Sequence, residues 1–137
     1  MAAAMALGAD GVQVGSRFVT THESSAHLNF KNAILNSSEG DTKLSLKQLT
    51  PVRLLKNDFY NKLNELEING ASIEELSSLL GRGRAKKGMF EGDLIEGELE
   101  IGQVSSQIKQ IISAKEVIDE MVLEYNQTLS RINDLKI

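Results

Sequence analysis

Apolar residues recur along most of the chain at spacings of three and four, which predicts a mainly helical protein. Several segments also have a capping signal, either Ser or Thr followed three residues later by Glu, or Gly at the end. The predicted helices are residues 2–8, closed by Gly8; residues 24–36, after Thr20 and Glu23; residues 51–55, opened by Pro51; residues 58–67, before Asn69-Gly70; residues 73–80, opened by Ser72 and Glu75; and a last helix opened by Ser113 and Glu116.

Two short segments alternate between apolar and polar positions, the pattern of a β-strand. The first is "GVQVG" at 11–15, with Val12 and Val14 on one face, and the second is "TKLSL" at 42–46. A helix, a tight turn and a short strand form an α/β unit of the kind that builds parallel sheets. Because a single strand cannot form a sheet, we expect the partners of 11–15 to lie in another molecule or upstream of Met1.

The outer helices are predicted to be packing surfaces. The apolar "MAAAMALGA" lacks the basic flank of a signal peptide and reads as a buried helix. The last helix has an apolar stripe with spacings of three and four throughout. This stripe consists of Ile118, Met121, Val122, Tyr125, Leu129 and Ile132.

Composition narrows the functional classes. The 137 residues suit one domain, and 41% apolar with 25% charged residues is ordinary for a globular protein. The formal charge of −4 argues against a nucleic-acid partner, which would require clustered Lys and Arg. There is no cysteine, so disulfides and thiolate metal sites are excluded. No apolar run is long enough to span a membrane, and we expect a cytoplasmic protein.

The Gly15-Ser16 pair ends the predicted strand at 11–15 and is the first candidate site. Free backbone N–H groups meet there, glycine permits close approach of a ligand, and the serine hydroxyl adds a donor, which together suit a phosphate. The alternative is a plain strand-to-helix turn, for which Gly-Ser pairs are common. From the pattern alone both interpretations stay open, and the plain turn is the commoner case.

Other chemistry-bearing residues favour structural interpretations. His22 and His27 have no metal-ligand spacing, so we interpret them as surface or capping residues and assign no catalytic or metal-binding residue. The basic "GRGRAKKG" at 81–88 lacks the P-loop ending and is interpreted as a solvated connector, with attraction of an anionic substrate as a secondary idea. The acidic "EGDLIEGELE" at 91–100 lacks the EF-hand pattern and is interpreted as a solvated turn.

The segment "AAAMALGADGVQVGSRFVTTHESSAH" resembles the eighth-strand region of FMN-dependent TIM-barrel oxidoreductases. "FKNAIL", "TPVRLLKN" and "GRAKKGMFEGDLIEGELEIGQVSSQI" follow in the order found in the nitronate monooxygenase family, formerly 2-nitropropane dioxygenases. FMN-type enoyl-acyl-carrier-protein reductases are similar. The resemblance extends to about residue 125 and implies an α/β fold, the C-terminal portion of a TIM (β/α)8 barrel with its last strand and following helices, predominantly helical as a fragment.

The resemblance also implies a division of the chain and roles for four residues. Residues 1–36 would form the last βα unit with the phosphate turn, 37–112 the lid helices and loops, and 113–137 the C-terminal helix. Gly15 and Ser16 would bind the FMN phosphate, Gln13 would lie near the cofactor, and Gln103 would lie at the substrate mouth. Two residues depart from the family pattern: Ser16 stands where threonine is frequent, and Leu28 where proline is frequent.

Three functional hypotheses follow. The first is oxidation of alkyl nitronates by dioxygen with FMN, the second is FMN-dependent reduction of an enoyl thioester, and the third is a non-enzymatic helical module that self-associates through apolar helix faces into a homo-oligomer. The family's first seven strands, including its histidine base and a glycine pair of the phosphate site, are expected upstream of Met1. We therefore expect the fragment alone to be inactive toward its small-molecule substrate.

Overall fold

The computed structural model describes residues 1–135, which form six α-helices, a two-stranded sheet and two short turns of other helix types. The helices are α1 Ala2–Ala6, α2 Ser16–Val19, α3 Leu28–Leu35, α4 Asp58–Ile68, α5 Ile73–Leu80 and α6 Ala114–Asn133. The strands are β1 Thr42–Ser45 and β2 Val52–Leu55. A π-helical turn spans Lys86–Phe90, and a 3-10 helix spans Gln103–Gln107.

Strand β2 corrects the prediction of a helix after Pro51. It pairs antiparallel with β1, with Thr42 opposite Leu55, so the predicted strand at 42–46 is confirmed. On its other edge, the N–H of Leu55 donates to the Leu99 carbonyl at 2.9 Å, and the N–H of Ile101 donates to the Arg53 carbonyl at 3.1 Å. Three apolar residues within a five-residue segment are compatible with both the helical and the strand period. This segment is a strand because its backbone is hydrogen-bonded on both edges.

The β2 strand separates two hydrophobic clusters. Because consecutive strand residues point to opposite faces, Leu54 and Leu55 are buried on opposite sides. Leu55 belongs to a cluster shared with α3 and the 99–108 segment: Phe30, Ile34, Leu55, Leu99, Ile101 and Ile108. Leu54 belongs to a cluster shared with α4 and α5: Leu46, Leu54, Phe59, Tyr60, Leu63 and Leu76. The strand therefore couples the two halves of the core.

The predicted burial of the first helix is wrong for the described chain, whereas the strand at 11–15 stays a prediction because its partners are expected outside this chain. Residues 11–15 have no strand pairing with the rest of residues 1–135, because no strand edge of this chain lies beside them. The α1 helix has no buried residue, although Gly8 follows it with φ +96° and ends it as expected.

Of the three predicted capping boxes, two are confirmed and one is wrong. The Ser72–Glu75 and Ser113–Glu116 capping boxes are both present. Thr20 and Glu23 form no such box, because both side chains bond elsewhere.

The Thr20 hydroxyl donates to the Arg17 carbonyl at 3.0 Å, and the Glu23 carboxylate accepts from the N–H of Ala114 at 2.8 Å. That backbone hydrogen bond lowers the pKa of Glu23. Helix α3 starts later than predicted, with His27 as its N-cap accepting from the N–H of Asn29 at 3.1 Å. This confirms the interpretation of His27 as a capping histidine.

The predicted stripe on the last helix is only partly buried. Val117 is the one buried residue of α6 among the described residues. Ile118, Val122, Leu129 and Ile132 are each about half exposed. The stripe therefore offers an apolar surface rather than a completed contact. No helix within residues 1–135 is long and apolar enough to cross a bilayer.

The basic stretch 81–88 is not merely a solvated connector, because Arg84 is half-buried and its guanidinium is hydrogen-bonded to three backbone carbonyls. Its guanidinium donates to the carbonyls of Leu79, Leu80 and Glu96 at 2.9, 2.8 and 2.7 Å. It also lies over the Phe59 ring, 4.5 Å from the centroid. Arg84 thus satisfies the C-terminal carbonyls of α5 and ties them to the 91–100 segment.

The acidic stretch 91–100 is likewise more than a solvated turn. Asp93 accepts from the N–H groups of Glu96 and Ile95 at 2.8 and 2.9 Å and pairs with Lys87 at 3.0 Å, which lowers the pKa of Asp93 to about 2. Glu98 is only 7% exposed. Burial, with a smaller contribution from the nearby charge of Glu100, raises the pKa of Glu98 to about 7.

The Glu98 shift predicts a pH-dependent stability. Between about pH 4.5 and pH 7 the folded chain keeps a proton on Glu98 that the unfolded chain has lost, so the free energy of unfolding falls as the pH rises. Glu98→Gln should remove this fall and be more stable than wild type at pH 8 by about 2 kcal/mol. Urea unfolding at pH 5 and pH 8 measures the difference.

The exposed Glu91→Gln variant is the matched control and should keep the wild-type pH slope. An unchanged slope in Glu98→Gln would show that the buried carboxyl ionises as it does in water.

Candidate functional site

The Gly15-Ser16 turn opens the four-residue helix α2. Gly15 is its N-cap, with φ −105° and ψ −69°, and no side chain caps this end of the helix. The first N–H groups of a helix have no intrahelical acceptor, so those of this turn are available to an external acceptor. The turn therefore has backbone donors where the sequence predicts them, and their use by a phosphate stays a prediction.

Gly15 is not required by the packing or backbone conformation of this chain. Its φ is negative, and a Cβ built on it would meet no atom within 4 Å. That Cβ would instead extend into open space. The open space at Gly15 fits a group that approaches the backbone closely, as a phosphate does.

Ser16 connects this turn to a segment 86 residues away. Its hydroxyl oxygen accepts a hydrogen bond from the N–H of Gly102 at 3.0 Å. The hydroxyl proton remains for donation to a ligand. A Cβ on Gly102 would lie 2.5 Å from the Ser16 Oγ, so glycine is needed there for the approach. The fold thereby brings together Gly15, Ser16 and the Gly102-Gln103 pair.

An open cleft of about 390 Å³ lies at this junction. Its walls come from the turn, from β2 and from the segment after Leu99. The lining residues are Gly15, Ser16, Val19, Pro51, Val52, Arg53, Glu100, Ile101 and Gly102. Arg53 supplies the cleft's positive charge, and its guanidinium donates to the Thr42 carbonyl and hydroxyl at 3.3 Å each. Glu100 supplies the negative charge.

Arg17 fixes the turn against the last helix. Its guanidinium donates to the Thr20 hydroxyl at 3.0 Å and to the Gln110 carbonyl at 3.3 Å, and it lies 3.8 Å from the Glu120 carboxylate. A backbone bridge between Thr21 and Ile112 continues the attachment. These contacts anchor the chain immediately after Ser16, so the position of the turn does not depend on α2 alone.

The buried Lys31 holds the loop that follows α2. Its ammonium donates to the Thr21 and Ser24 carbonyls at 2.6 and 2.8 Å, and the residue is 6% exposed. These two bonds give the Thr21 and Ser24 carbonyls a charged donor from the interior. The loop between the turn and α3 is thus fixed from the interior.

The other two predicted site residues lie farther from the cleft. Gln13 is exposed and lines a separate, mainly apolar cavity of about 430 Å³ with residues of α6. Gln103 is exposed at the start of the 3-10 helix, next to Gly102, and its side chain is outside the described lining of the cleft. Their roles beside a cofactor and at a substrate mouth stay predictions.

Sequence reasoning missed Arg53 and Glu100 as cleft residues. Arg53 was hidden because 51–55 was predicted to be a helix, and Glu100 because 91–100 was predicted to be solvated. A strand at 52–55 would have been the signal, because Glu100 bridges to Leu54 along it. His22 is exposed, and no cluster of three metal-ligating side chains occurs within residues 1–135.

Comparison with known proteins gives consistent matches along the chain. The family model of nitronate monooxygenase matches residues 1–124. A protein of Staphylococcus saprophyticus described as "Probable nitronate monooxygenase" is 35% identical over 136 residues, which cover 96% of this chain and 37% of that protein. A protein of Bacillus subtilis with the same description is 30% identical over 123 residues, covering 89% of this chain and 35% of that protein.

Two solved structures of FabK from Thermotoga maritima are also similar. One superposes with a TM-score of 0.87 at 33% identity, covering 96% of this chain and 42% of that one. The M276A mutant gives a TM-score of 0.79 at 32% identity, covering 97% of this chain and 40% of that one. This chain thus spans between 35% and 42% of the length of these four proteins. The likeness supports a partial α/β TIM barrel, and the chain belongs to the nitronate monooxygenase family of oxidoreductases.

Proposed function

We propose that this chain supplies part of the FMN site of an oxidoreductase that oxidises alkyl nitronates with dioxygen. The observation that supports it is the junction of Gly15 and Ser16 with Gly102. The space beside Gly15 is open, and the Ser16 hydroxyl oxygen accepts a hydrogen bond from the Gly102 N–H. In this proposal Gly15 and Ser16 hold the phosphate. FMN, when bound, supplies the acceptor for the two electrons of the substrate and returns them to dioxygen.

The residues of this chain would bind and orient. The N–H groups that follow Gly15 would bind the phosphate, and the Ser16 hydroxyl would donate to it while accepting from the Gly102 N–H. Charge-assisted bonds of this kind are the stronger class. Arg17 keeps the turn in place through Thr20 and Glu120. Gln103 would lie at the substrate mouth, and Gln13 would lie beside the cofactor.

The histidine base of the reaction is proposed to lie outside this chain. His22 is exposed, and His27 uses its Nδ1 to cap α3, so neither is poised beside the cleft. The family resemblance places a histidine base and a second phosphate-binding glycine pair before the region that corresponds to Met1. For this reason we propose that the 137 residues alone do not turn over substrate.

The phosphate role of Ser16 predicts a localised response to FMN. Titration of FMN into the ¹⁵N-labelled chain should shift the amide signals of Ser16, Arg17 and Gly102. Ser16→Ala should weaken binding about tenfold, because one hydrogen bond to a charged group is lost, whereas Ser16→Thr keeps the hydroxyl and should bind nearly as wild type.

Ser38→Ala is the control for removing a serine hydroxyl from an exposed turn, and it should leave FMN binding unchanged. Saturable shifts confined to other regions of the chain, or equal affinity in Ser16→Ala, would contradict the phosphate assignment.

A second candidate reaction is FMN-dependent reduction of an enoyl thioester with a nicotinamide cofactor. The structural likeness to FabK favours it, together with the resemblance of the sequence to the enoyl-acyl-carrier-protein reductases. Both reactions would use the same phosphate turn, so the described cleft does not distinguish between them.

Substrate assays discriminate these reactions. We expect the chain alone to consume no oxygen with propane-2-nitronate and FMN, and the protein that includes the family's N-terminal strands to consume it. NADPH oxidation that depends on an enoyl thioester, without nitronate-dependent oxygen uptake, would favour the reductase. Nitronate turnover by the isolated 137 residues would overturn the claim of an inactive fragment.

A further inference from the structure

A second cavity, of about 180 Å³, lies behind the cleft wall. Its lining combines apolar side chains from the hairpin and α5 with two carboxylates. The lining residues are Leu46, Leu49, Thr50, Val52, Leu80, Glu98 and Glu100. Val52 and Glu100 also line the cleft beside Ser16, so these two residues form the wall between the two spaces.

Glu98 is the unusual member of this lining. Its residue surface is 7% exposed, and its backbone N–H donates to the Arg84 carbonyl at 3.1 Å. Within residues 1–135 no hydrogen bond to its carboxylate offsets the effects of burial and of the Glu100 charge. A carboxylate without a hydrogen-bond partner, on a residue that is 7% exposed, is an unfavourable arrangement that a ligand could relieve.

The neighbouring cation does not fill this role. The Arg84 guanidinium donates to three backbone carbonyls and lies 3.5 Å from the Glu96 carboxylate, so its donors are directed elsewhere. Its charge reaches Glu98 only as a longer-range attraction. The cavity lining therefore contains two carboxylates, and Arg84 forms no ion pair with either of them.

The remaining walls decide which kind of cation fits. Four aliphatic side chains supply no ligand oxygen, Thr50 adds one hydroxyl, and no cluster of three His, Cys, Asp or Glu side chains is present among residues 1–135. A metal ion would stay undersaturated there. A short alkyl stem would instead contact the leucines, and an ammonium group would donate to the carboxylates. The cavity of about 180 Å³ leaves room for a short alkyl stem.

We propose that this cavity is a binding site for a short primary alkylammonium ion, with Glu98 as its ion-pair partner, Glu100 as a second acceptor and the leucine wall around its stem. The site is separate from the FMN turn and does not require the proposed function. A bound ammonium would lie against the Val52 and Glu100 wall, one side chain away from the cleft at Ser16.

The test is calorimetric titration of n-butylammonium chloride into the purified chain at pH 8 and constant ionic strength. Wild type should bind one equivalent saturably. Glu98→Gln should bind at least about tenfold more weakly, because a charge-assisted hydrogen bond is lost. The exposed Glu91→Gln variant should bind as wild type, and circular dichroism should confirm that both variants are folded.

A ligand series on wild type alone keeps the proposal falsifiable if Glu98→Gln does not fold. Uncharged n-butanol should bind at least about tenfold more weakly than n-butylammonium. Affinity should rise from methylammonium to butylammonium as the stem fills the apolar wall. Absence of saturable butylammonium binding, equal binding of butanol, or equal binding by a folded Glu98→Gln variant would overturn the site.

Discussion

The hydrogen bond from the Gly102 N–H to the Ser16 hydroxyl is the constraint on which the candidate site depends. It joins two segments that are 86 residues apart and neither of which is a long regular element. Without it, the α2 turn would be held mainly by Arg17 on the α6 side. With it, the open side of Gly15 faces a cleft with defined walls.

Gly102, the donor of this hydrogen bond, is held in position by the strand β2. The N–H and carbonyl groups of the 99–101 segment bond to the free edge of the strand, and Leu99 and Ile101 are buried in the cluster around Phe30. Gly102 follows Ile101 directly, so the pairing and burial of the preceding residues fix the direction of the Gly102 N–H. The same pairing positions Glu98 and Glu100 along the strand. One short strand thus borders the candidate cleft at Ser16 on one side and the proposed ammonium cavity on the other.

Sequence reasoning was most successful where the interactions are local. Capping boxes at Ser72 and Ser113 and the strand at 42–46 depend on residues a few positions apart. It failed where a distant partner decides the outcome. The segment 51–55 is a strand because β1 and Leu99 pair with it. The Glu23 carboxylate accepts a hydrogen bond from the Ala114 N–H instead of forming the predicted capping box.

The candidate site shows the same division between local and distant information. Gly15 and Ser16 could be identified from the composition of the turn and from the family resemblance, because their chemistry is local. Arg53 and Glu100 could not, because their place in the cleft follows from the pairing of β2. Glu98 and Arg84 occur in stretches rich in charge, where exposure is the usual outcome. Their burial is a property of the packed structure.

Amide hydrogen exchange at Gly102 tests the central claim most directly. If Ser16 accepts this N–H, its exchange should be slow in wild type and in Ser16→Thr, and at least about tenfold faster in Ser16→Ala, while the Leu55 amide, bonded to Leu99, should be unchanged. A Gly102 amide that exchanges equally fast in wild type and Ser16→Ala would contradict the account.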